Sequence, residues 1–119
     1  MDQPSEKPNS SLSGSLGVLI HSHPKEAAFD HALSVVGQAL KAGRETYLYL
    51  LDQGVEGLTH ATLMGWSQTP LRCFACALAL EVHEIEAPEW VIPSGLTLLS
   101  DILLQCDEIC VYNPADRSS

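Results

Sequence analysis

The stretch Leu16-Gly-Val-Leu-Ile20, with the loop His21-Ser-His-Pro-Lys25 and the helical pattern that follow it, decides the fold class. A short continuous apolar run such as residues 16–20 is typical of a strand that is covered on both faces of a parallel sheet. Apolar residues then recur at spacings of three and four, at Ala28, Phe29, Ala32, Leu33, Val36, Ala39 and Leu40. This pattern predicts an amphipathic helix with Pro24 in its first turn and Gly43 just past its end.

The alternation of strand and helix continues along the chain. Further strands are predicted at residues 46–51, 71–74, 89–92 and 108–112, and further helices at residues 58–66, 76–82 and from 93 onwards. The order β-α-β-α-β-α-β-α-β predicts an α/β fold, a three-layer α/β/α sandwich around a parallel five-stranded sheet. Residues 15–113 form the predicted domain, between a flexible tail at residues 1–14 and a polar tail at residues 114–119.

Composition narrows the classes of function. The chain has 119 residues, of which 45% are hydrophobic, so one domain with a real core is expected. Its formal net charge is -9, and its six basic side chains are scattered, which argues against direct nucleic-acid binding and against an anionic membrane surface. The sequence shows no signal peptide and no apolar run that could span a bilayer, so a cytoplasmic location is expected.

Right-handed crossovers place all the strand-to-helix loops at one edge of a parallel sheet, where ligands bind. On this prediction that edge carries residues 21–23, 52–57 and 73–76. His21, His23 and Gly54 are therefore assigned to substrate binding. Gly54-Val-Glu-Gly is too short and too acidic for a phosphate loop, and no dinucleotide or Walker motif is present.

The cysteines suggest thiol chemistry. A chain with four cysteines in a reducing compartment carries free thiols, and paired spacing such as Cys73-x-x-Cys76 suggests redox, metal or sulfur chemistry. Cys73 is predicted where the third strand meets a helix, so that the helix N-terminus and Arg72 lower its pKa and make it the catalytic thiol. Cys76, one helical turn on, is predicted to face Cys73 and assist it. The alternative is that both are buried packing residues.

A zinc site and a thioredoxin-like redox site are alternatives to sulfur chemistry at Cys73. His21 and His23 with Cys73 and Cys76 would make a zinc set of two cysteines and two histidines, although this spacing is not specific. The histidines are otherwise proton donors near the thiol or exposed polar residues. A thioredoxin-like motif belongs after an early strand, whereas this one follows the third. No cofactor and no metal are assigned.

Four segments resemble the DsrE/TusD-like family of sulfur-relay proteins. The first is residues 16–23 with the helix that follows them. The others are Leu48-Tyr-Leu-Leu-Asp-Gln-Gly-Val55, Cys73-Phe-Ala-Cys-Ala-Leu-Ala-Leu80 and Gly95-Leu-Thr-Leu-Leu-Ser-Asp-Ile-Leu-Leu-Gln-Cys-Asp-Glu-Ile-Cys-Val-Tyr112. The resemblance covers residues 16–112. The chain departs from the family pattern at residues 81–84, which replace a basic-glycine turn, in the short stretch between residues 55 and 73, and in its paired loop histidines.

The resemblance implies a DsrEFH-like fold and a role in sulfur trafficking, with Cys73 as a persulfide carrier and possible sulfurtransferase. It implies sulfur donor and acceptor proteins as partners, and a homo- or hetero-oligomer, as trimer or hexamer. Transfer RNA thiolation and intracellular sulfur oxidation are the candidate pathways. A non-catalytic structural subunit of such an oligomer and a small zinc-binding domain stay open as alternatives.

Overall fold

The computed structural model of the protein describes residues 14–114. Apart from Gly14 and Pro114, the two predicted tails lie outside the described residues. No helix within the described part of the chain is long and apolar enough to cross a membrane.

Five parallel strands form a single sheet in the order β4-β3-β2-β1-β5. The strands are β1 (Leu16–Ile20), β2 (Thr46–Leu50), β3 (Arg72–Cys76), β4 (Val91–Ser94) and β5 (Glu108–Tyr112). The helices are α1 (Ala27–Lys41), a 3₁₀ helix (Asp52–Thr59), α2 (Ala61–Met64), α3 (Ala77–Val82) and α4 (Leu96–Gln105). The predicted α/β fold with a parallel five-stranded sheet is confirmed.

Helices cover the two faces of the sheet unequally. The chain steps from β1 to β4 in one direction, so the right-handed connections through α1, α2 and α3 all lie on one face. Val18, Leu48 and Cys73 point into the core on that face. The return from β4 to β5 carries α4 across the other face, where Ile102 packs against a second, smaller core that includes Tyr49.

The bounds of β3 and of the edge strand β4 differ from the predicted ones. The strand predicted at residues 71–74 continues to Cys76, because Ala75 and Cys76 pair with Pro93 and Ser94 of β4. The strand predicted at residues 89–92 accordingly moves to Val91–Ser94. Pro93 is accommodated because β4 is an edge strand. At the other end of the domain α1 begins at Ala27, so the prediction of Pro24 in its first turn was wrong.

Two helices end in the same hydrogen-bonded turn. After α1, Gly43 has φ 77° and the Arg44 N–H donates to the Ala39 carbonyl. After α3, Glu84 occupies the equivalent position with φ 56°, and the Ile85 N–H donates to the Leu80 carbonyl. This turn needs a left-handed residue, which glycine adopts without steric cost.

Glu84→Gly is therefore expected to stabilise the protein by about 1 kcal/mol, since it removes the strain of a left-handed residue that carries a Cβ. Urea denaturation of the variant and of the parent protein measures the difference. Glu81→Gly, placed within α3 rather than after it, is the matched control and should destabilise by a similar amount. Equal destabilisation by both changes would contradict the assigned turn.

Candidate active site

The carboxyl ends of the strands bring the predicted loops together. His21 follows β1 directly, Asp52 follows β2 after one residue, and Cys76 is the last residue of β3. The His21 N–H donates to the Tyr112 carbonyl at the end of β5, at 2.9 Å. The candidate site is built on this edge.

Cys73 does not lie at this edge. It is the second residue of β3, pairs with Leu48 on one side and Val91 on the other, and is 1% exposed. Burial raises the pKa of its thiol to about 12. The predictions that Cys73 stands at the strand–helix junction and that its pKa is lowered were therefore wrong. The burial of Cys73 and its raised pKa both disfavour a reactive thiolate.

Arg72 is also remote from the edge. It begins β3 at the opposite end of the strand, and its guanidinium lies 5.5 Å from the centre of the Tyr47 ring and 4.0 Å from a carboxylate oxygen of Glu45. Neighbouring residues of a strand point to opposite faces, so Arg72 and Cys73 diverge. The prediction that Arg72 lowers the pKa of Cys73 was wrong.

Cys76 is the cysteine at the edge. It ends β3, is the N-cap residue of α3 and is half-buried. It does not face Cys73 as predicted, because residues three apart in a strand point to opposite faces. A cavity of about 140 Å³ opens beside it. The lining residues are Asp52, Cys76, Leu78, Ala79, Val82 and His83.

An imidazole–carboxylate pair borders this cavity. The His21 Nδ1 lies 2.8 Å from a carboxylate oxygen of Asp52. Asp52 has φ 49°, a left-handed conformation that aspartate tolerates better than most residues. The pair joins the loop after β1 to the loop after β2. Asp52 also lines the cavity.

A second carboxylate holds two histidines. The Glu56 side chain lies 2.8 Å from His83 Nδ1 through one oxygen and 3.2 Å from His23 Nε2 through the other. The Lys25 N–H donates to His23 Nδ1 at 3.1 Å, so that nitrogen is an acceptor and Nε2 carries the proton given to Glu56. The loop after β1 and the end of α3 thus converge on a carboxylate of the 3₁₀ helix.

Gly54 and Ser22 are buried beneath these groups. A Cβ on Gly54 would lie 2.2 Å from the Ile20 carbonyl oxygen, so the glycine allows the 3₁₀ helix to approach the end of β1. Ser22 is 0% exposed, and its hydroxyl has no hydrogen-bond partner among the described residues. Of the predicted substrate-binding residues, His21 and His23 therefore lie at the edge, whereas Gly54 is a packing position.

The zinc alternative does not fit this geometry. Cys73 and Cys76 point to opposite faces of the sheet, so they cannot share an ion with His21 and His23. Within residues 14–114 no group of three or more histidine, cysteine or acidic side chains is placed to hold a metal ion. A cavity of about 450 Å³ between α1 and α2 has no cysteine in its lining.

Asp52, Glu56 and His83 were not singled out from the sequence. Asp52 and Glu56 fall in the loop predicted at the carboxyl edge, so the same topological argument would have found them. His83 was interpreted as a surface residue beside Glu81 and Glu84. No local signal identifies it, because its partner Glu56 is 27 residues away.

Comparison with known proteins supports the fold. No family model matches the sequence, and no curated protein matches it. The crystal structure of the ychN protein from E. coli superposes with a TM-score of 0.72 over 84% of this chain and 99% of that chain, at 12% sequence identity. At this identity the match shows the fold alone, and it confirms the predicted DsrE-like architecture.

Proposed function

We propose that the protein traffics sulfur and that it carries persulfide sulfur on Cys76. The observation that supports this most directly is the position of Cys76 at the carboxyl edge, half-buried beside a cavity that Asp52 and His83 also line. Burial raises the pKa of the other three thiols, Cys73, Cys106 and Cys110. A thiol must ionise to act as a nucleophile, so raised pKa values disfavour these three.

The proposed step is a thiol–persulfide exchange. The Cys76 thiol first gives its proton to solvent. The thiolate attacks the terminal sulfur of a donor persulfide, a new S–S bond forms at Cys76, and the S–S bond of the donor breaks. The donor leaves as a thiolate and takes up a proton. Electrons balance without an added oxidant, since one S–S bond replaces another.

The surroundings of the cavity favour a protein as donor and acceptor. Leu78 and Val82 rim it on successive turns of α3 and are 66% and 69% exposed. The cavity is far smaller than a typical pocket for a whole small-molecule ligand, and Asp52 puts a carboxylate in its wall. A persulfide on a partner's loop can enter while apolar partner side chains cover the rim.

The test is persulfide loading followed by intact mass, in which each added sulfur contributes ~32 Da. Cys76→Ser should reduce loading at least about tenfold, whereas Cys73→Ala should load like the parent protein. Alanine is chosen at position 73 because a serine would place an unpaired hydroxyl in the core. Unchanged loading in Cys76→Ser would contradict the proposal.

A non-catalytic assembly subunit is the second candidate. In the described residues α4 is the only helix on its face of the sheet, and it leaves Leu96 70% and Leu104 85% exposed. Exposed leucines on one helix suggest an interface with another chain. A parent protein that forms a stable oligomer by light scattering and takes up no sulfur would favour this function.

A further inference from the structure

Cys76 and His83 stand at the two ends of α3. They are the residues that cap this helix, and both line the cavity of about 140 Å³. The six residues of α3 separate them, which corresponds to about 10 Å along the helix axis. That spacing is too long for a direct thiol–imidazole pair. It leaves room for the reacting end of a substrate between the two groups.

Glu56 fixes the orientation of His83. Its carboxylate accepts the Nδ1 proton of His83 at 2.8 Å, and the His83 side chain is only 23% exposed. With Nδ1 engaged, Nε2 is the nitrogen that remains to give or take a proton. A carboxylate that orients an imidazole and stabilises its protonated form is the arrangement that supports acid–base catalysis.

His23 holds Glu56 in turn. Because its Nδ1 accepts the Lys25 N–H, its Nε2 proton is donated to Glu56 at 3.2 Å. Glu56 therefore receives one hydrogen bond on each oxygen. Two of the three departures from the family pattern, the loop histidines through His23 and residues 81–84 through His83, meet at this carboxylate.

The backbone around the cavity is strained at two points. Asp52 and Glu84 are the non-glycine residues with positive φ in the described chain, at 49° and 56°. Asp52 lines the cavity, and Glu84 directly follows His83. The turn that ends α3 accounts for the conformation of Glu84, whereas Asp52 is a cavity residue held in a left-handed conformation. This observation is independent of the hydrogen bonds around Glu56.

We propose that His83 is the general acid of the sulfur-transfer step, positioned by Glu56 and His23, and that its substrate is an alkyl persulfide. The inference rests on the function proposed for Cys76. When the Cys76 thiolate takes the terminal sulfur, the breaking S–S bond leaves its electron pair on the donor sulfur. His83 Nε2–H protonates that sulfur, and the resulting imidazole recovers a proton from solvent.

An alkyl thiolate is a basic leaving group, so its departure benefits from a proton donor. In an in-line attack the leaving sulfur lies beyond the transferred sulfur, on the side away from Cys76, and His83 lines the same cavity. The other charged groups around His83 are Glu56, Asp52 in the cavity wall and Glu84 beside it. All three are acidic, and Glu56 accepts the Nδ1 proton of His83, which leaves Nε2 facing the cavity chemistry.

The experiment compares two reactions of Cys76 that differ in leaving group. Transfer from cysteine persulfide releases an alkyl thiolate, whereas a disulfide of an aromatic nitrothiol releases a stable anion that needs no proton. His83→Gln is expected to slow the first about a hundredfold and to change the second less than about threefold. Glu56→Gln should show the same contrast with a smaller loss.

His31→Gln is the matched control. His31 is an exposed residue of α1 whose ring contacts Tyr112, outside the cavity, and both rates should stay at the parent value. Equal losses in both reactions of His83→Gln, or no loss in either, would overturn the proposed role. Sulfur loading that survives in Cys76→Ser would instead overturn the proposed function. Thermal melts confirm that each variant is folded.

Discussion

Gly54→Ala is expected to destabilise the protein by about 3 kcal/mol or more. The added Cβ would lie 2.2 Å from the Ile20 carbonyl oxygen and 3.0 Å from the carbon of the same group. That carbonyl cannot yield, because it accepts the Leu51 N–H at 2.9 Å and ends a strand in the interior of the sheet. The 3₁₀ helix would have to lift away and would carry Glu56 with it. Chemical denaturation measures the loss.

Gly37→Ala provides a control of opposite sign. Gly37 lies within α1, and a Cβ there would meet the Trp66 ring at 3.6 Å, an ordinary contact. Alanine should therefore stabilise the protein by about 0.5–1 kcal/mol through its higher helix propensity. A Gly54→Ala variant as stable as the parent protein would show that the 3₁₀ helix is not packed on the end of β1.

The stability of the protein is expected to fall between pH 9 and pH 12 because of Cys73. Its pKa is raised from 9.0 to about 12 by burial, so the folded state keeps the proton through a range in which the unfolded state releases it. The unfolded state binds fewer protons there, so the free energy of unfolding decreases as pH rises. The slope from this thiol is about 1 kcal/mol per pH unit. The slope fades over about one pH unit below pH 9.

Denaturation of the parent protein and of Cys73→Ala at several pH values isolates this effect. Burial also raises the pKa of Tyr49, Cys106 and Cys110, but these groups titrate in both proteins and cancel in the comparison. The stability advantage of the parent protein over the variant should shrink steadily above pH 9. A difference that does not change up to pH 11 would mean that Cys73 reaches solvent in the folded state.

Much of the fold follows from local patterns. The predicted bounds of β1 and β5 agree with the structure. β1 is a continuous apolar run and β5 contains β-forming residues, so local sequence is enough to locate both strands. Gly43 marks the end of α1 because its left-handed turn requires it. The alternation of strand and helix then determines the parallel sheet and the edge at which the loops converge.

The candidate site was predicted less well, and one boundary explains most of the error. The length of β3 is set by its pairing with β4, and a single sequence does not display such long-range pairing. Extending the strand from residue 74 to Cys76 left Cys73 within β3, in the core, and put Cys76 at the strand–helix junction. Because side chains alternate, the same shift sent Cys73 and Cys76 to opposite faces.

Site-resolved alkylation of the native parent protein decides whether Cys76, rather than Cys73, is the reactive thiol. The protein is exposed to iodoacetamide at neutral pH, quenched over a time course, and digested so that each cysteine is followed by mass. We expect Cys76 to be alkylated first and Cys73 to stay unmodified until the protein is unfolded. Alkylation of Cys73 in the folded protein as fast as that of Cys76 would contradict the account.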